Sequence, residues 1–313
     1  MIELIGNEYI PEKTAVALGL FDGLHHGHRK VIAEILDKSA PTVFTFRTES
    51  IQYKHGKPLE YIYTNEQKLK ILEKMGVKYV YSPDFDAVKD MDGEEFAKEI
   101  LAGRLNAEYV VCGENFRFGK KALYDVTDLK ELGKKYGFIV KIISLDGFSS
   151  EKYRQLLREG NVEELCRNND RYILSAEVVD GNRIGRTLDF PTINQHFAKE
   201  QIIPKRGVYH TYTLIEGRIL PSITNVGIKP TVGGESRPLA ETHILDYSGN
   251  LYGECIDVEF CRFIRSEMKF ASLEELKSAI QADIDNCREY LQNIKSKAVS
   301  YTHLRAHETL MNL

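Results

Sequence analysis

The stretch Gly19-Leu-Phe-Asp-Gly-Leu-His-His-Gly-His28 decides the fold of the first half of the chain. It follows an apolar run over residues 14–20 that predicts a buried strand, and it leads into an amphipathic run over 28–36 that predicts a helix. Glycines at such a turn let the backbone approach a ligand, and a helix N-terminus presents free N–H groups and a positive dipole end. The stretch therefore predicts a phosphate cradle.

The cradle contains candidate catalytic and phosphate-binding residues. His25 and His28 bracket a glycine and can both point at one group, where imidazoles can stabilise negative charge that develops on phosphorus. The alternative is a glycine-rich turn with two solvent-facing histidines and no chemical role. The candidate phosphate-binding residues are Gly19, Phe21, Asp22, Gly23 and Gly27.

Strand-like and helix-like runs alternate through the first half of the chain. Strands separated by helices of about ten residues or more are typical of a parallel sheet covered on both faces. Ligands then lie at the carboxyl ends of the strands. Further strands are predicted over 41–46, 77–81, 108–112 and 138–143, and further helices over 65–75, 93–105 and 125–136.

The pattern changes after about residue 170. Runs rich in Val, Ile, Thr and Tyr follow one another without intervening helices, which indicates an antiparallel barrel or sandwich. A long helix over about 272–294 then begins with a capping box, Ser272-Leu-Glu-Glu275. We predict domains over 1–169 and 170–298, and a non-native or frayed tail over 299–313. The strand-like runs are 172–179, 207–214, 218–226, 241–247 and 255–263.

The composition argues against several classes of protein. Of 313 residues, 42 are Lys or Arg and 46 are Asp or Glu, which gives a net charge of −4. No bulk charge therefore attracts the chain to nucleic acid or anionic lipid. Five cysteines without a C-x-x-C pair argue against a disulfide framework or a zinc site. Because there is neither a leader nor an apolar run of about 18 residues, we expect a cytoplasmic protein without nucleic-acid or membrane partners.

Two motifs of the first half resemble a known family. The cradle matches the G-x-F-D-G-x-H-x-G-H pattern of the HxGH nucleotidyltransferases, in the form found in prokaryotic bifunctional riboflavin kinase/FAD synthetases. Gly113-Glu-Asn-Phe-Arg-Phe-Gly119 resembles the FRFG segment of that family. Phe116 and Phe118 alone could equally be core residues. The resemblance implies that the flavin contacts Asn115, Phe116, Arg117 and Phe118.

The first half also departs from the family pattern. The T-F-x-P-H-P segment is Thr45-Phe-Arg-Thr-Glu-Ser50 here, without either proline or the histidine, and Tyr124 replaces a glycine. The S-S-T-x-I-R segment is Ser149-Ser-Glu-Lys-Tyr-Arg154, and Glu151 brings a negative charge towards a phosphate site unless it points away. The resemblance assigns ATP phosphates to Ser149, Ser150 and Arg154.

A further set of candidates lies in the second half. Pro191-Thr192 offers a rigid turn and a hydroxyl that can face Mg²⁺, with Asn194 two positions on. Glu241 begins a strand and can present its carboxylate as a general base. Taken singly, Pro-Thr-x-Asn is usually a turn, and a strand glutamate is usually a solvated charge.

As an ordered set, these residues resemble the flavokinase domain. The set includes Asn225-Val-Gly-Ile-Lys-Pro-Thr231, Leu251-Tyr-Gly253 and Ile264-Arg-Ser-Glu-Met-Lys-Phe270. The resemblance implies that Thr192 and Asn194 serve Mg²⁺ and phosphates and that Glu241 deprotonates the ribityl 5′-hydroxyl. It also assigns ATP to Gly181, Gly185 and Arg186 in the loop 181–186, and the flavin to Arg265 and Glu267.

Together the resemblances cover about residues 14–292. They imply an α/β protein: a Rossmann-like parallel sheet of the HxGH nucleotidyltransferase type, then a six-stranded antiparallel flavokinase β-barrel with a C-terminal helix. The implied enzyme uses ATP and Mg²⁺ to phosphorylate riboflavin to FMN, and it adenylylates FMN to FAD, as a monomer or weak homo-oligomer. Two alternatives stay open here: a riboflavin kinase with a degenerate first domain, and a non-enzymatic flavin-sensing regulator.

Overall fold

The computed structural model describes residues 1–51, 53–54, 57–58, 60–145, 147–181, 190–230 and 236–300. Its internal contacts divide the chain into two compact units, Met1–Ser150 and the residues from Glu151 onward. No helix within the described ranges has both the length and the apolar character that a membrane crossing needs.

The first unit alternates strands and helices. Its strands are β1 (Ile2–Leu4), β2 (Thr14–Leu18), β3 (Pro41–Phe44), β4 (Tyr53–Lys54), β5 (Lys57–Pro58), β6 (Tyr79–Tyr81), β7 (Ala107–Gly113) and β8 (Ile139–Ile143). Its helices are α1 (His26–Ala33), α2 (Asn65–Lys74), α3 (Phe85–Val88), α4 (Gly93–Glu95) with a π-helical continuation (Phe96–Arg104), and α5 (Val126–Tyr136). Short 3₁₀ turns lie at Thr48–Ser50 and Lys120–Ala122.

Six of these strands form one parallel sheet in the order β1-β6-β3-β2-β7-β8. The strand β2 pairs with β3 on one side and with β7 on the other. The chain adds β3 and β6 on the first side before it adds β7 and β8 on the second, so the strand order reverses between β2 and β7. Such a reversal opens a crevice at the carboxyl ends of the two strands, where ligands bind in open α/β sheets.

Both faces of the parallel sheet are covered by helices. All five residues of β2 are buried. Val16 and Leu18 belong to one apolar cluster with the π-helix and α5, whereas Ala15 and Ala17 belong to another with α1 and α2. Because alternate residues of a strand face opposite sides of a sheet, the two clusters are its two covered faces.

The second unit is a barrel flanked by helices. Helices α6 (Ser150–Glu159) and α7 (Val162–Arg167) precede the strands, and α8 (Leu273–Ser300) follows them. The six antiparallel strands close in the order β10-β13-β12-β11-β14-β9. They are β9 (Tyr172–Val179), β10 (Thr192–His196), β11 (Gly207–Ile215), β12 (Arg218–Pro230), β13 (Ser236–Ile244) and β14 (Cys255–Arg265).

Buried hydroxyls cross three neighbouring strands of the barrel. The Oγ1 atom of Thr224 lies 2.8 Å from Oγ1 of Thr211 and 2.8 Å from Oγ1 of Thr242. All three threonines are buried. The hydroxyls satisfy one another, which removes the cost of burying an unpaired polar group.

Helix α8 is attached to the barrel by apolar packing and by ion pairs, one of them between Arg288 of α8 and Asp246 after β13 at 3.1 Å. Ile284 and Cys287 of α8 pack in a cluster with Val208 and other barrel residues. At the end of β14, Arg265 donates two hydrogen bonds to the carboxylate of Asp283, at 3.1 and 2.7 Å. This fork-to-carboxylate geometry is the strongest form of the pair.

A buried histidine lies between β11 and α8. His210 is 2% exposed, and neither ring nitrogen has a hydrogen-bond partner among the described residues. Its ring lies 5.1 Å from that of Tyr290 on α8, and the guanidinium of Arg262 lies 5.1 Å from the same tyrosine ring. The imidazole therefore sits in an apolar and cationic environment.

The fold class predicted from the sequence is confirmed: a parallel sheet precedes a six-stranded antiparallel barrel with a C-terminal helix. Several elements differ from the predictions. The short elements β1, β4, β5 and α3 were not predicted, the helix over 93–105 continues from α4 as a π-helix, and Thr192 begins β10 rather than lying in a turn. Strand β13 begins at Ser236, so Glu241 lies within the strand rather than at its start. The predicted tail lies outside the described residues from residue 301 onward.

Candidate functional site

The predicted cradle lies at the carboxyl end of β2, beside the crevice between β2 and β7. The N–H of Gly19 donates to the carbonyl of Phe44 at 3.2 Å, which continues the pairing of β2 with β3. Helix α1 begins at His26, with His25 as its N-cap. The buried residues of the cradle are Phe21, Asp22, Gly23, Leu24, His25 and Gly27.

The cradle backbone turns through left-handed conformations. Phe21, Gly23 and Leu24 have φ values of 52°, 80° and 41°. This region costs a residue with a side chain about 1–2 kcal/mol, and such strain is typical of functional sites. A Cβ at Gly23 would also lie 2.6 Å from Cδ1 of Ile62. Glycine is therefore required at residue 23 by both conformation and space.

The two cradle histidines stack on each other. The rings of His25 and His28 are 3.7 Å apart with an interplanar angle of 28°. Burial, followed by the nearby charges of His25, Arg29 and Lys68, holds the pKa of His28 well below its usual value. The Nδ1 atom of His28 is buried and has no hydrogen-bond partner among the described residues. His28 is therefore a neutral imidazole at neutral pH.

Three hydrogen bonds fix the cradle backbone and Asp22. The carboxylate of Asp22 accepts from the N–H of Ile62 at 2.9 Å, and its carbonyl accepts from the hydroxyl of Ser150 at 2.9 Å. The carbonyl of Leu20 accepts from the hydroxyl of Thr45 at 2.8 Å. Segments that follow β3 and β8 thus hold the turn between β2 and α1.

The FRFG segment follows β7, the strand next to β2. The rings of Phe116 and Phe118 stack at 5.8 Å, and Phe118 is buried in the apolar cluster. Asn115 and Arg117 are exposed, and the guanidinium of Arg117 lies 3.7 Å from the carboxylate of Asp125. Phe118 thus has a core role, whereas the other three side chains remain at the surface or partly exposed.

Tyr124, which departs from the family pattern, closes this segment. Its backbone exchanges two hydrogen bonds with Phe118, at 3.1 and 3.2 Å. Its hydroxyl donates to Asp92 at 2.8 Å, and its ring covers Gly93 so closely that a Cβ there would lie 2.4 Å away. The tyrosine therefore fixes the loop after β7 to the start of α4.

Leu145 and Phe148 contact the cradle, although the sequence analysis did not single them out. Side-chain atoms of Leu145 lie 3.5 Å and 2.8 Å from the positions of a Cβ at Gly27 and at Gly113. Phe148 lies 5.6 Å from the ring of His25. Both residues follow β8, so the rule that sites form at carboxyl ends of parallel strands was the signal that could have found them.

The negative charge of Glu151 is compensated by two arginines of α6. Its two carboxylate oxygens lie 3.5 Å from Nη1 of Arg154 and 3.3 Å from Nη1 of Arg158, and its side chain is largely exposed. Arg154 is buried. Ser149 is exposed, and Ser150 contacts the cradle as described above. The electrostatic penalty expected from Glu151 is therefore reduced by the two arginines of α6.

The barrel places the predicted kinase residues in one row. Asn194 of β10 lies opposite Glu241 of β13, which in turn lies opposite Asn225 of β12. Directly opposed residues share a face, with Cβ atoms about 5 Å apart. Thr192 lies two residues before Asn194 and shares that face. Asn225 was quoted within its motif but given no role.

Asn194 is buried and retains an unused acceptor. Its side-chain Oδ1 has no hydrogen-bond partner among the described residues. A Cβ at Gly181 would lie 2.4 Å from the Asn194 amide nitrogen. The backbone at Gly181 therefore approaches the amide more closely than any other residue type allows.

A cavity of about 440 Å³ opens beside β10 and β13. Of its lining residues, Thr192 shares the face of Asn194 and Glu241, whereas Ile193 and Thr242 lie on the opposite face of the same strands. The loop after β13 supplies half of the lining and was not assigned to the site from the sequence. The lining residues are Val178, Pro191, Thr192, Ile193, Thr242, Ile244, Tyr247, Ser248, Gly249, Asn250, Leu251 and Tyr252.

The two residues of the second unit that were assigned to the flavin, Arg265 and Glu267, have different surroundings. Arg265 is engaged by Asp283 of α8, which fixes its guanidinium. An oxygen of Glu267 lies 2.5 Å from the position of a Cβ at Gly227. Because Gly227 follows Asn225 by two residues on one face of β12, Glu267 lies next to the polar row.

Comparison with known proteins agrees with this two-site arrangement. Residues 7–154 match the FAD synthetase family model, and residues 168–291 match the riboflavin kinase family model. The bifunctional riboflavin kinase/FMN adenylyltransferase of Haemophilus influenzae is 30% identical over 89% of this chain and 94% of its own length. The Escherichia coli K12 protein of the same description is 32% identical over 89% of this chain and 93% of its length.

The chain belongs to the bifunctional riboflavin kinase/FMN adenylyltransferase family. The family resemblance predicted from the sequence is thereby confirmed. A solved structure from Streptococcus pneumoniae, described as a macrolide-efflux protein, is 26% identical, covers 92% of this chain and 99% of its own, and superposes with a TM-score of 0.79. The residue roles inferred from the family stay predictions, and Gly185 and Arg186 lie outside the described residues.

Proposed function

We propose that the chain phosphorylates the ribityl 5′-hydroxyl of riboflavin with ATP and then adenylylates the resulting FMN with a second ATP, releasing pyrophosphate. The observation that carries this function is the match of the two units to two different family models, FAD synthetase and riboflavin kinase.

In the kinase reaction, Glu241 accepts the proton of the 5′-hydroxyl as the oxygen attacks the γ-phosphorus. The new bond joins that oxygen to phosphorus, the bond to the β-phosphate oxygen breaks, and ADP leaves. Phosphoryl transfer needs mainly positioning and charge neutralisation. Thr192 and Asn194, on the same face of β10, position the phosphates of ATP towards Glu241 on the neighbouring strand.

The residues present at the barrel site fit a magnesium ion. Mg²⁺ prefers oxygen ligands and is commonly held by a few protein groups together with substrate phosphates. Thr192 supplies a hydroxyl, and Asn194 supplies the buried amide oxygen without a hydrogen-bond partner in the described structure. When bound there, Mg²⁺ neutralises the charge of the ATP phosphates.

In the adenylyl transfer, the phosphate of FMN attacks the α-phosphorus of ATP. One P–O bond forms, the bond to the β-phosphate oxygen breaks, and pyrophosphate leaves. No protein base is needed because the attacking phosphate is already an anion. His28, neutral in the free site, donates a hydrogen bond to the oxygen on which charge develops, and His25 holds its ring by stacking.

We also infer that the chain works in the cytoplasm as a monomer or weak homo-oligomer. The five cysteines contain no C-x-x-C pair, and Cys112, Cys261 and Cys287 are buried thiols; a reducing compartment keeps thiols in that state. Size-exclusion chromatography with light scattering measures the oligomeric state; a tight higher oligomer would contradict the second part of this inference.

Chromatography of flavins formed from riboflavin, ATP and Mg²⁺ tests both reactions. We expect FMN followed by FAD; accumulation of FMN alone would show that the chain is a kinase with an inactive first domain. Glu241→Gln should abolish FMN formation and retain riboflavin binding, whereas the exposed Glu254→Gln should behave as wild type. Near-normal turnover of the Glu241 variant would remove it as the base.

The cradle is tested by supplying FMN directly. His28→Ala should stop FAD formation and leave phosphorylation of riboflavin by the same preparation unchanged, which shows that the barrel unit is intact; circular dichroism of the variant checks the fold of the first unit. Unchanged FAD formation in this variant would contradict the role of the cradle.

A further inference from the structure

A lysine is buried beside the cradle. Lys68 lies in the first turns of α2 and is only 2% exposed. Burying an ammonium group costs several kcal/mol unless hydrogen bonds and charge interactions compensate. Its Nζ atom donates to the hydroxyl of Thr45 at 3.2 Å and to the carbonyl of Phe46 at 2.6 Å. Such a group is retained where its charge or its hydrogen bonds serve a specific purpose.

The hydrogen bonds of Lys68 continue to the cradle backbone. Thr45 is fully buried, and its hydroxyl has one proton, which it donates to the carbonyl of Leu20 at 2.8 Å. The same hydroxyl oxygen accepts from Lys68. These two hydrogen bonds form a relay that runs in one direction, from the ammonium of Lys68 through the hydroxyl of Thr45 to the carbonyl of Leu20. Leu20 immediately precedes Phe21, whose backbone is left-handed.

Helix α2 is itself fixed in relation to the cradle. Its N-terminus has a capping box in which Thr64 and Gln67 exchange hydrogen bonds at 3.2 and 2.9 Å. Just before this box, the N–H of Ile62 donates to the carboxylate of Asp22. The segment 62–68 thus binds the cradle at both of its ends, once through Asp22 and once through Lys68.

We propose that Lys68 is a positioning residue for adenylyl transfer: its ammonium orders the loop after β3 and, through Thr45, the cradle backbone at Leu20, and it sets the electrostatic environment of His28. This inference rests on the adenylyl transfer proposed above. After burial and the charges of His25 and Arg29, the charge of Lys68 also lowers the pKa of His28. Lys68 therefore helps to keep that imidazole neutral before substrate binds.

Two substitutions separate the charge from the relay. Lys68→Met removes both the charge and the relay and keeps the length of the side chain, whereas Thr45→Val breaks the relay and keeps the charge. The matched control is Lys70→Met on the same helix, where the ammonium is half-exposed and pairs with Glu66 at 3.0 Å. FAD formation from supplied FMN and ATP is measured from pH 5 to 9 on the full chain, with riboflavin phosphorylation as the internal control.

We expect Lys68→Met to lower the rate of FAD formation at least tenfold and to change the titration of His28. Thr45→Val should lower the rate and leave the His28 titration in place. Lys70→Met should match wild type in both respects, and all variants should phosphorylate riboflavin normally. Titration of ¹⁵N-histidine signals should show a higher pKa for His28 in Lys68→Met, a measurement that does not depend on activity.

A wild-type rate and a wild-type His28 titration in Lys68→Met would overturn the proposal while leaving the adenylyl transfer intact. A lower rate with an unchanged His28 titration would also overturn it, because that result is the signature of a merely structural role. If the wild-type chain forms no FAD, the proposed function of the first unit fails instead, and the histidine titration alone then decides whether Lys68 controls His28.

Discussion

Protonation of His210 should destabilise the barrel in mildly acidic solution. Burial, followed by the charge of Arg262, lowers the pKa of His210 from its usual 6.5 to about 4. Between these values the unfolded chain binds the proton and the folded chain does not, so stability falls as the pH drops through this window. The full loss is about 3 kcal/mol, of which about 2 kcal/mol should be present at pH 5.

Hydrogen exchange of the intact chain measures this loss locally. We expect the opening constant of peptides from β11, corrected for intrinsic exchange rates, to rise about twentyfold between pH 7 and pH 5. His210→Leu should remove most of this pH dependence, even if it changes stability at pH 7. The control is His196→Gln, which replaces an exposed histidine of the same barrel and should retain it.

The comparison of pH dependence, rather than of stability itself, makes the result decisive. An offset caused by repacking against Tyr290 cancels when one variant is compared at two pH values. If His210→Leu and wild type lose protection equally between pH 7 and pH 5, His210 is not the group whose protonation opens the barrel.

Three further substitutions test single contacts. Gly23→Ala should lower FAD formation at least tenfold and spare the kinase, because a side chain there meets both a left-handed backbone and a neighbouring atom at 2.6 Å; equal loss of both activities would indicate general misfolding instead. Gly181→Ala should displace Asn194 and lower FMN formation at least tenfold without affecting FAD formation from FMN, and a fully active variant would show that the amide can move. Asp283→Asn should weaken the pair with Arg265 and cost about 1–2 kcal/mol, measured as inactivation of the kinase by urea; an unchanged midpoint would contradict this.

The sequence was sufficient for the fold and for the position of the cradle. The all-buried β2 and the glycines that follow it leave few alternatives, because a strand covered on both faces must be apolar and a tight strand-to-helix turn must contain glycine. β10 was missed because Pro191-Thr192 resembles a turn locally, and only closure of the barrel makes it a strand. The domain limits of 1–169 and 170–298 stay a prediction.

The contacts that complete the sites could not be predicted from local patterns. Lys68 lies in a helix whose charged residues mostly face solvent, and only the position of α2 beside β3 buries it. Asn225 and Glu241 become neighbours through strand register, which depends on the whole barrel. From the sequence, the charge of Glu151 was expected to disfavour phosphate binding. The ion pair of Glu151 with Arg158, one helical turn beyond Arg154, could not be predicted from the sequence.

The barrel and the parallel sheet differ in what they expose to other copies of the chain. The barrel closes on itself, whereas the parallel sheet has edges at β1 and at β8, and Ile139 of β8 is 67% exposed. An open edge of apolar residues invites edge-to-edge pairing, and charged side chains are the usual protection. Here Lys141, in the middle of β8, is held by Glu34 at 2.7 Å. Aggregation during synthesis or at high concentration should therefore start at the nucleotidyltransferase half, and a second charge on β8 is the change that would suppress it.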